Sequence, residues 1–494
     1  MRITNNMMRN NAQLHIQKNK VAYNKYFEQF SSQKKIQKPS DDPTIAVRSL
    51  KFRTTLVEVQ QYRANCRDAE GWMDATEEPM KKANTVLDTM IDYVTQAANG
   101  TNTYDDRETI AKQLRQNADF IFQQNANSDF AGRYLFTGYR TDVPLLFSAN
   151  QSNATYTISE NLEVESIRSF SYVYGGAAFD ETKTADEYAS DAPEYLSSHR
   201  IRVSYQDCDD SDVQVTYKDA DGNEVSVTAT VKKIADDAKF NDHYKPGDGE
   251  IYFVPETGEL VFGDGIYDSV RAGSDLNVSY SKTNFKENDI RPEHYFECTS
   301  VDNETGVTKN FSATREQEIN YQINFSQNLT VNTLGCNAFD MDVNRIVDSI
   351  YEVIQNLEIT EKDLQNVNKR IADCNQDDTA TLEKLNELKK QIESKMTLQN
   401  TVLTNSYSEA ITVFQQAKNT LNVAVADHGA RYARMKMTES KLESLEIDTK
   451  ESKSENEEVD LEEAYVNYTE ADLLYQASLQ ATSKILGSSL LNYI

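Results

Sequence analysis

From Phe339 onward, apolar residues return at alternating steps of four and three: Phe339, Val343, Ile346, Ile350, Val353, Leu357, Thr360, Leu364, Val367, Ile371 and Cys374. A sustained repeat of 3.5 residues keeps one stripe on a single helix face, and such a stripe demands a partner helix in a coiled-coil seam. After "NQDDT" (375–379) the repeat resumes at Leu382, Leu385, Lys389, Ile392, Met396, Gln399, Leu403, Tyr407, Ala410, Phe414, Ala417, Leu421, Ala424 and His428. It continues through Arg431, Met435, Thr438, Leu442 and Leu445. The break is short, so the spacing predicts a helical hairpin near 358–402.

The N-terminal arm carries stripes of its own. Met80, Ala83, Leu87, Met90, Val94 and Ala97 keep the period, and Ala111, Leu114, Ala118 and Ile121 follow "TYDDRETI" (103–110), where Asp105 is the expected N-cap. A first helix over about 4–35 shows Met7, Leu14 and Val21 seven apart, backed by Ile3, Phe27 and Phe30. A last helix places Leu461, Ala464, Tyr468, Ala471, Tyr475, Ser478, Thr482 and Ile485 on one stripe. The polar segment "TKESKSENEEVD" (449–460) before it reads as a linker or hinge. The two terminal helices are expected to pair. Ile16, Tyr23, Tyr26, Val466, Leu473 and Leu479 fall off these stripes, and apolar groups on a second face call for a second partner, which points to self-assembly.

Between the arms the pattern changes. Gly (17) and Pro (8) are scarce in the whole chain, yet residues 128–337 are rich in Gly, Tyr, Val and Thr. "QVTYKDADGNEVSVTATV" (214–231) alternates on both sides of a Gly-Asn turn, and "IYFVPETGELVF" (251–262) turns at Glu256–Gly258. "LNVSYS" (276–281) and "INYQINF" (319–325) alternate as well. The expected fold is mainly α with a β insert (α+β): a long coiled-coil-like helical bundle from both arms, plus an all-β outer domain, either a sandwich or an open barrel. The expected divisions are 1–42 with 458–494 as a terminal-helix domain, 43–130 with 339–457 as the helical bundle, and 131–338 as the β-rich domain.

Composition removes several function classes. A net charge of −28 repels nucleic acid and anionic membrane surfaces. No apolar run approaches the ~20 residues of a membrane span. The polar start "MRITNNMMRNNAQLHIQKNK" lacks the apolar core of a cleavable signal peptide. The five cysteines (Cys66, Cys208, Cys298, Cys336, Cys374) form no C-x-x-C pair, and their odd count argues for plain thiols. The five histidines have no metal-like spacing, "DADGNE" (219–224) fits a hairpin turn better than a calcium loop, and Trp72 fits a helix core. No catalytic motif is present. No enzyme activity, cofactor or metal is expected, and the function must lie in the helical arms.

"KKIQKPSDDPTIAVRSL" (34–50) interrupts the N-terminal arm. Pro39 stops the first helix and biases Lys38 away from helical geometry. Asp42 can cap the next helix, and Pro43 suits its first position, where a missing N–H costs nothing. Ala46, Leu50, Val57 and Ala64 begin the new face. Pro39, Ser40, Asp41, Asp42 and Pro43 thus make a rigid interhelix joint.

That joint, with "NMMRNN" near the start, resembles the N-terminal signature of the hook-associated protein 3 family, the flagellar hook–filament junction proteins. "VTQAANGTNTYDDRETIAKQLRQ" (94–116), "NSDFAGRYLFTGYRT" (127–141), "EINYQINFSQNLTVNTLGCNAFD" (318–340), "VADHGARYARMKMTESKLESLE" (425–446) and "SLQATSKILGSSLLNYI" (478–494) are similar too. Flagellins share the architecture, but Pro39, Ser40, Pro43 and "GRYLFTG" favour the junction family. The long β insert and the helical hairpin depart from it.

The resemblance implies an adaptor between hook and filament, exported unfolded through the flagellar secretion channel to the cell exterior and assembling through its terminal helices into a ring. It implies hook-associated protein 1, flagellin and an export chaperone as partners. Met7, Leu14, Val21, Tyr468, Ala471, Tyr475 and Ile485 are the expected interface or inner-core positions. The alternatives are a filament subunit and a carbohydrate- or host-binding appendage protein working through residues 140–330.

Overall fold

The computed structural model describes residues 5–99, 104–185, 187–188, 192–312, 317–375 and 378–487. Three long helices form the N-terminal arm: α1 (Asn5–Ser32), α2 (Pro43–Ala98) and α3 (Tyr104–Asp119), the last running into a π-helical turn at Phe120–Ala126. The strand region opens with the hairpin β1 (Asp129–Phe130) and β2 (Arg133–Tyr134). It continues with β3 (Ala154–Leu162), β4 (Arg168–Tyr174), β5 (Glu194–Arg202), β6 (Val213–Lys218), β7 (Glu224–Val231), β8 (Ile251–Val254) and β9 (Glu259–Phe262). Then come α4 (Asp264–Arg271), β10 (Ser274–Lys282), α5 (Pro292–Tyr295), β11 (Glu297–Asp302), β12 (Thr308–Phe311), and the hairpin β13 (Asn320–Asn324) and β14 (Gln327–Thr330). The chain closes with α6 (Gly335–Ala338), α7 (Asp342–Asp373), α8 (Thr379–Glu457) and α9 (Leu461–Gly487).

The chain divides into two compact units. One comprises residues 1–70, 321–329 and 432–494; the other comprises 71–320 and 330–431.

In the second unit the heptad stripes are the core. Met73, Met80, Ala83, Leu87, Met90, Val94 and Ala97 of α2 are buried, as are Ile110, Leu114 and Ala118 of α3 and Leu403, Tyr407, Ala410, Phe414, Ala417 and Leu421 of α8. Trp72 is buried in α2 with its ring edge-on to Phe130, and the buried His428 hydrogen-bonds the Met73 carbonyl through Nε2 at 3.0 Å. On α7 the stripe from Val343 to Val367 faces inward, and α7 and α8 meet around Val367, Leu388 and Ile392. Phe339 is buried but precedes α7, and Cys374 lies just past its end. Val347, Ser349 and Ile354 are buried too, on a second face that the heptad alone does not mark. The β insert also packs on this helix pair, where Val353 and the α8 residues Leu398 and Val402 meet Phe170, Tyr172, Val254 and Val261.

The insert is neither a closed barrel nor two hydrogen-bonded sheets. Ten strands follow one order, β12-β11-β3-β10-β6-β7-β8-β9-β5-β4, antiparallel except for β7 beside β8. The sheet curls on itself, so that Ile158, Val215, Val278 and Tyr280 share a core with Ile201, Phe253, Leu260 and Phe262. β9 is buried at all four positions because helices cover its other face. Such a strand reads as an unbroken apolar run rather than an alternating one. Two buried carboxylates bind sheet to helix. Glu259 pairs with Arg200 and Arg202, while Tyr244 donates to Glu259 at 2.7 Å and to Glu352 of α7 at 3.0 Å. Burial raises the Glu259 carboxyl, but the two guanidiniums outweigh it and hold the group below its ordinary range. Glu160 of β3 pairs likewise with Arg345 of α7 and accepts from Tyr280 at 3.0 Å.

The turn "DADGNE" is an Asx turn, in which Asp219 accepts from the amides of Asp221 at 2.9 Å and Asn223 at 2.8 Å. All five cysteines are free thiols. Among the described residues no helix is long and apolar enough to cross a membrane, and no cluster of three or more His, Cys, Asp or Glu is placed to hold a metal ion.

Candidate assembly interface

In the first unit α1 and α9 lie side by side. The contact is an aromatic ladder. Tyr468 meets Tyr23, Phe27 and Phe30 at ring-centroid distances of 5.6, 5.8 and 5.8 Å. Tyr23 also stacks on Tyr475 at 5.8 Å, and Phe30 meets Tyr465 at 5.7 Å. Ala464 and Ala471 are buried between these rings and let the helices approach. Asn19 Nδ2 donates across the pair to the Leu474 carbonyl at 3.3 Å.

A two-stranded clasp closes the base of the pair. The Lys35 amide donates to the Glu457 carbonyl at 2.8 Å, and the Val459 amide donates to the Gln33 carbonyl at 3.1 Å, with Lys34 and Glu458 bridged antiparallel. The chain therefore leaves α1 and enters α9 through one shared β-bridge. The joint beside it is built by aspartates. Asp41 accepts from the amides of Gln37 at 3.0 Å and Lys38 at 2.9 Å, and these bonds lower its pKa. Asp42 accepts from the amides of Thr44 at 2.8 Å and Ile45 at 3.2 Å, directly before Pro43 opens α2.

Below the clasp α2 and α8 are held by carboxylates. Arg53 grips Glu457 from Nε and Nη2 at 2.9 Å each, and Ser49 donates to the same carboxylate. The Arg53 bond holds the Glu457 carboxyl at about 2 against the opposing effect of burial. About three turns further back, Glu446 is held at about 2 by bonds from Lys450, Arg63 and Gln60. These pairs correct one expectation. "TKESKSENEEVD" is not a linker: α8 runs on to Glu457, and only 458–460 interrupts the helix. Composition reads as a linker here because the stabilising partner of Glu457, Arg53, lies 404 residues earlier in the chain.

The candidate residues separate into two groups. Tyr468 and Tyr475 are half-buried in the aromatic ladder and Ala471 is buried beneath it. Met7, Leu14 and Val21 lie on the other side of α1, exposed at 49, 50 and 69%. The face of α1 turned to α9 is Ala12, Ile16, Asn19, Tyr23, Tyr26 and Phe30, so the stripe taken as the seam and the positions taken as off-seam exchange roles. On α2 the same thing happens: Leu50, Val57 and Ala64 are exposed, whereas Ala46, Ser49, Val59 and Cys66 face inward. On α8 the inward stripe passes from Leu442 to Glu446 and Thr449, leaving Leu445 exposed. Ile3 and the side chains of Asp105 and Ile485 lie outside the described residues.

Two helices with outward apolar rows result: Met7, Leu14 and Val21 on α1, and Val466, Leu473 and Leu479 on α9. Val47, Leu50 and Val57 of α2 are exposed as well, and exposed apolar side chains of this kind are not favoured by water. Such rows can bury area against other chains. Sequence spacing revealed both stripes on α1, but a heptad names a face without saying which neighbour covers it.

The bacterial flagellin N-terminal helical region matches residues 3–141, and the bacterial flagellin C-terminal helical region matches residues 411–494. Flagellar hook-associated protein 3 of Salmonella typhimurium is 29% identical over 143 residues, which are 29% of this chain and 45% of the relative. The protein of the same name from Escherichia coli is 27% identical over a stretch of the same coverage, and a flagellin of Clostridium tyrobutyricum is 25% identical over 171 residues, 35% of this chain and 45% of the relative. The chain thus spans about half the length of the curated relatives it matches. Among solved structures, FlgL of Xanthomonas campestris covers 82% of this chain and 99% of its own at 12% identity and a TM-score of 0.30. The flagellar junction protein FlgL of Legionella pneumophila covers 83% and 100% at 11% identity and a TM-score of 0.26.

Proposed function

From the premise that the chain belongs to the flagellin superfamily through the helical regions at its two ends, we propose that it is a structural component of the bacterial flagellum, an adaptor at the junction of hook and filament. The observation that carries this reading is the α1–α9 pair. It satisfies its own aromatic seam and still leaves Met7, Leu14, Val21, Val466, Leu473 and Leu479 in water. A helix pair of that kind is completed by copies of itself and by similar chains. The ends of hook-associated protein 3 and of flagellin are similar chains, and the relatives named for the hook support the junction over the shaft.

In this reading residues 1–42 and 458–494 line the inner tube of a ring, 43–130 and 339–457 form the surrounding bundle, and 131–338 face outward. Hook-associated protein 1 lies on one side and flagellin on the other. The protein leaves the cell through the flagellar export channel, with an export chaperone covering the apolar face of α9 beforehand. Packing between copies performs the function; no reaction is catalysed.

A second reading, the filament subunit, is favoured by the flagellin relative. Gene deletion separates the two. The junction reading expects hooks without filaments and monomeric flagellin shed into the medium. Loss of filaments with no shed flagellin makes the chain the filament subunit, and normal filaments exclude both.

A further inference from the structure

The second unit contains a cleft of about 890 Å3, a size suited to a small molecule. Its walls come from distant parts of the chain: α3, α7, the end of β5 at Arg202 with Gln206, and residues between 234 and 257, which run from behind β7 through β8 into the β8–β9 turn. At one wall stands His243, only 2% exposed, whose Nδ1 lies 2.6 Å from the Asp237 carboxylate. In the neutral ring that contact fixes the proton on Nδ1 and leaves Nε2 as an acceptor. Nε2 is buried and has no partner, and neither has Oε2 of Glu256 in the same cleft. Two buried polar atoms left open in one cleft are costly without a ligand or solvent to fill them.

The chemistry of the walls narrows the ligand. The cations of the walls are already engaged: Arg115 with Asp348, Arg202 with Glu259 and Glu352, Lys112 with Glu108, and Lys239 over the ring of Tyr174. What remains to meet a ligand is the amides of Gln116 and Gln355, the phenol of Tyr351, the imidazole of His243 and the carboxylate of Glu256. Amides offer a donor and an acceptor side by side, and aromatic rings offer an apolar face. We propose that this cleft is a binding site for a neutral, hydroxyl-rich ligand, a carbohydrate, with His243 Nε2 and Glu256 accepting from its hydroxyls. A phosphate or an acidic sugar would find no uncommitted cation to pair with.

The proposal does not depend on the junction reading, since the site lies wholly within the second unit. The test uses the full-length protein and a panel of neutral sugars (methyl glucoside, galactoside and mannoside, N-acetylglucosamine, maltose, lactose), with N-acetylneuraminic acid and inorganic phosphate as charged comparators. Saturation-transfer NMR and calorimetry are expected to show at least one neutral sugar bound with a dissociation constant of about 1 mM or tighter. His243→Ala and Asp237→Asn should each weaken it at least tenfold. Gln355→Ala and Gln116→Ala, at exposed helix positions where folding is not at risk, should weaken it severalfold. The proposal is overturned if no neutral sugar binds, if a charged comparator binds as well as the best neutral one, or if the two glutamine variants bind unchanged.

Discussion

Arg53 and Glu457, 404 positions apart in sequence, are joined by two parallel hydrogen bonds of 2.9 Å. The pair sits where α8 ends and the clasp to α1 begins. Bidentate arginine–carboxylate contacts add geometric definition as well as energy. About half of the Arg53 side chain remains in water, which limits the pair to about 1 kcal/mol. Arg53→Ala should therefore speed amide exchange at Lys35 and Val459 about fivefold while leaving the second unit unchanged, as followed by hydrogen-exchange mass spectrometry.

The same pair sets a pH dependence. The Glu457 carboxyl is held at about 2, below its ordinary 4.5, so its contribution is complete above the unfolded value and fades as the pH falls from about 4.5 toward 2. The difference in exchange at Lys35 and Val459 between the native chain and Glu457→Gln should be largest near neutrality and close below pH 3. A difference that persists at pH 2 would assign the effect to another group.

Tyr468 touches three rings of α1 at once. Tyr468→Ala is expected to cost the pair about 1–2 kcal/mol and to lower the helical circular-dichroism signal, because a helix pair with alanines in its seam has little else to hold it. Exchange protection should fall in α1 and α9 together.

Val21 is 69% exposed. Val21→Asp should change the thermal stability of the isolated chain by no more than about 0.5 kcal/mol and leave export intact, yet abolish stable filament attachment, scored by swimming and by flagellin released into the medium. Swimming at the normal rate would remove the outer row of α1 from the interface.

Gly258 turns the β8–β9 hairpin at φ +69°, and a Cβ there would stand 2.1 Å from the Tyr205 carbonyl oxygen. Gly258→Ala combines left-handed strain with a backbone clash and should destabilise the second unit by about 2 kcal/mol or more, read from its thermal unfolding.

Much of the helical architecture is legible in sequence because a heptad is a local signal. The stripes from Met80 to Ala97 and from Leu403 to Leu421 are buried as spaced. What the spacing leaves open is which of two stripes turns inward. On α1, Met7–Leu14–Val21 and Ile16–Tyr23–Phe30 are both periodic, and only the rings of Tyr468 and Tyr475 on a helix 450 residues away decide between them. The segment 449–457 is helical for a similar reason, since its last glutamate, Glu457, is paired with Arg53 of α2. The sheet order, with its single parallel step from β7 to β8, is set by long-range pairing that no short window contains. The cleft around His243 is assembled from four such distant segments, and its one local trace is the pair Asp237 and His243, six residues apart.

The position of the protein on the organelle tests the central claim most directly. Immunogold labelling of intact flagella, with antibodies raised against residues 131–338, should place gold in one short band between hook and filament. Gold distributed along the filament shaft would contradict the junction assignment.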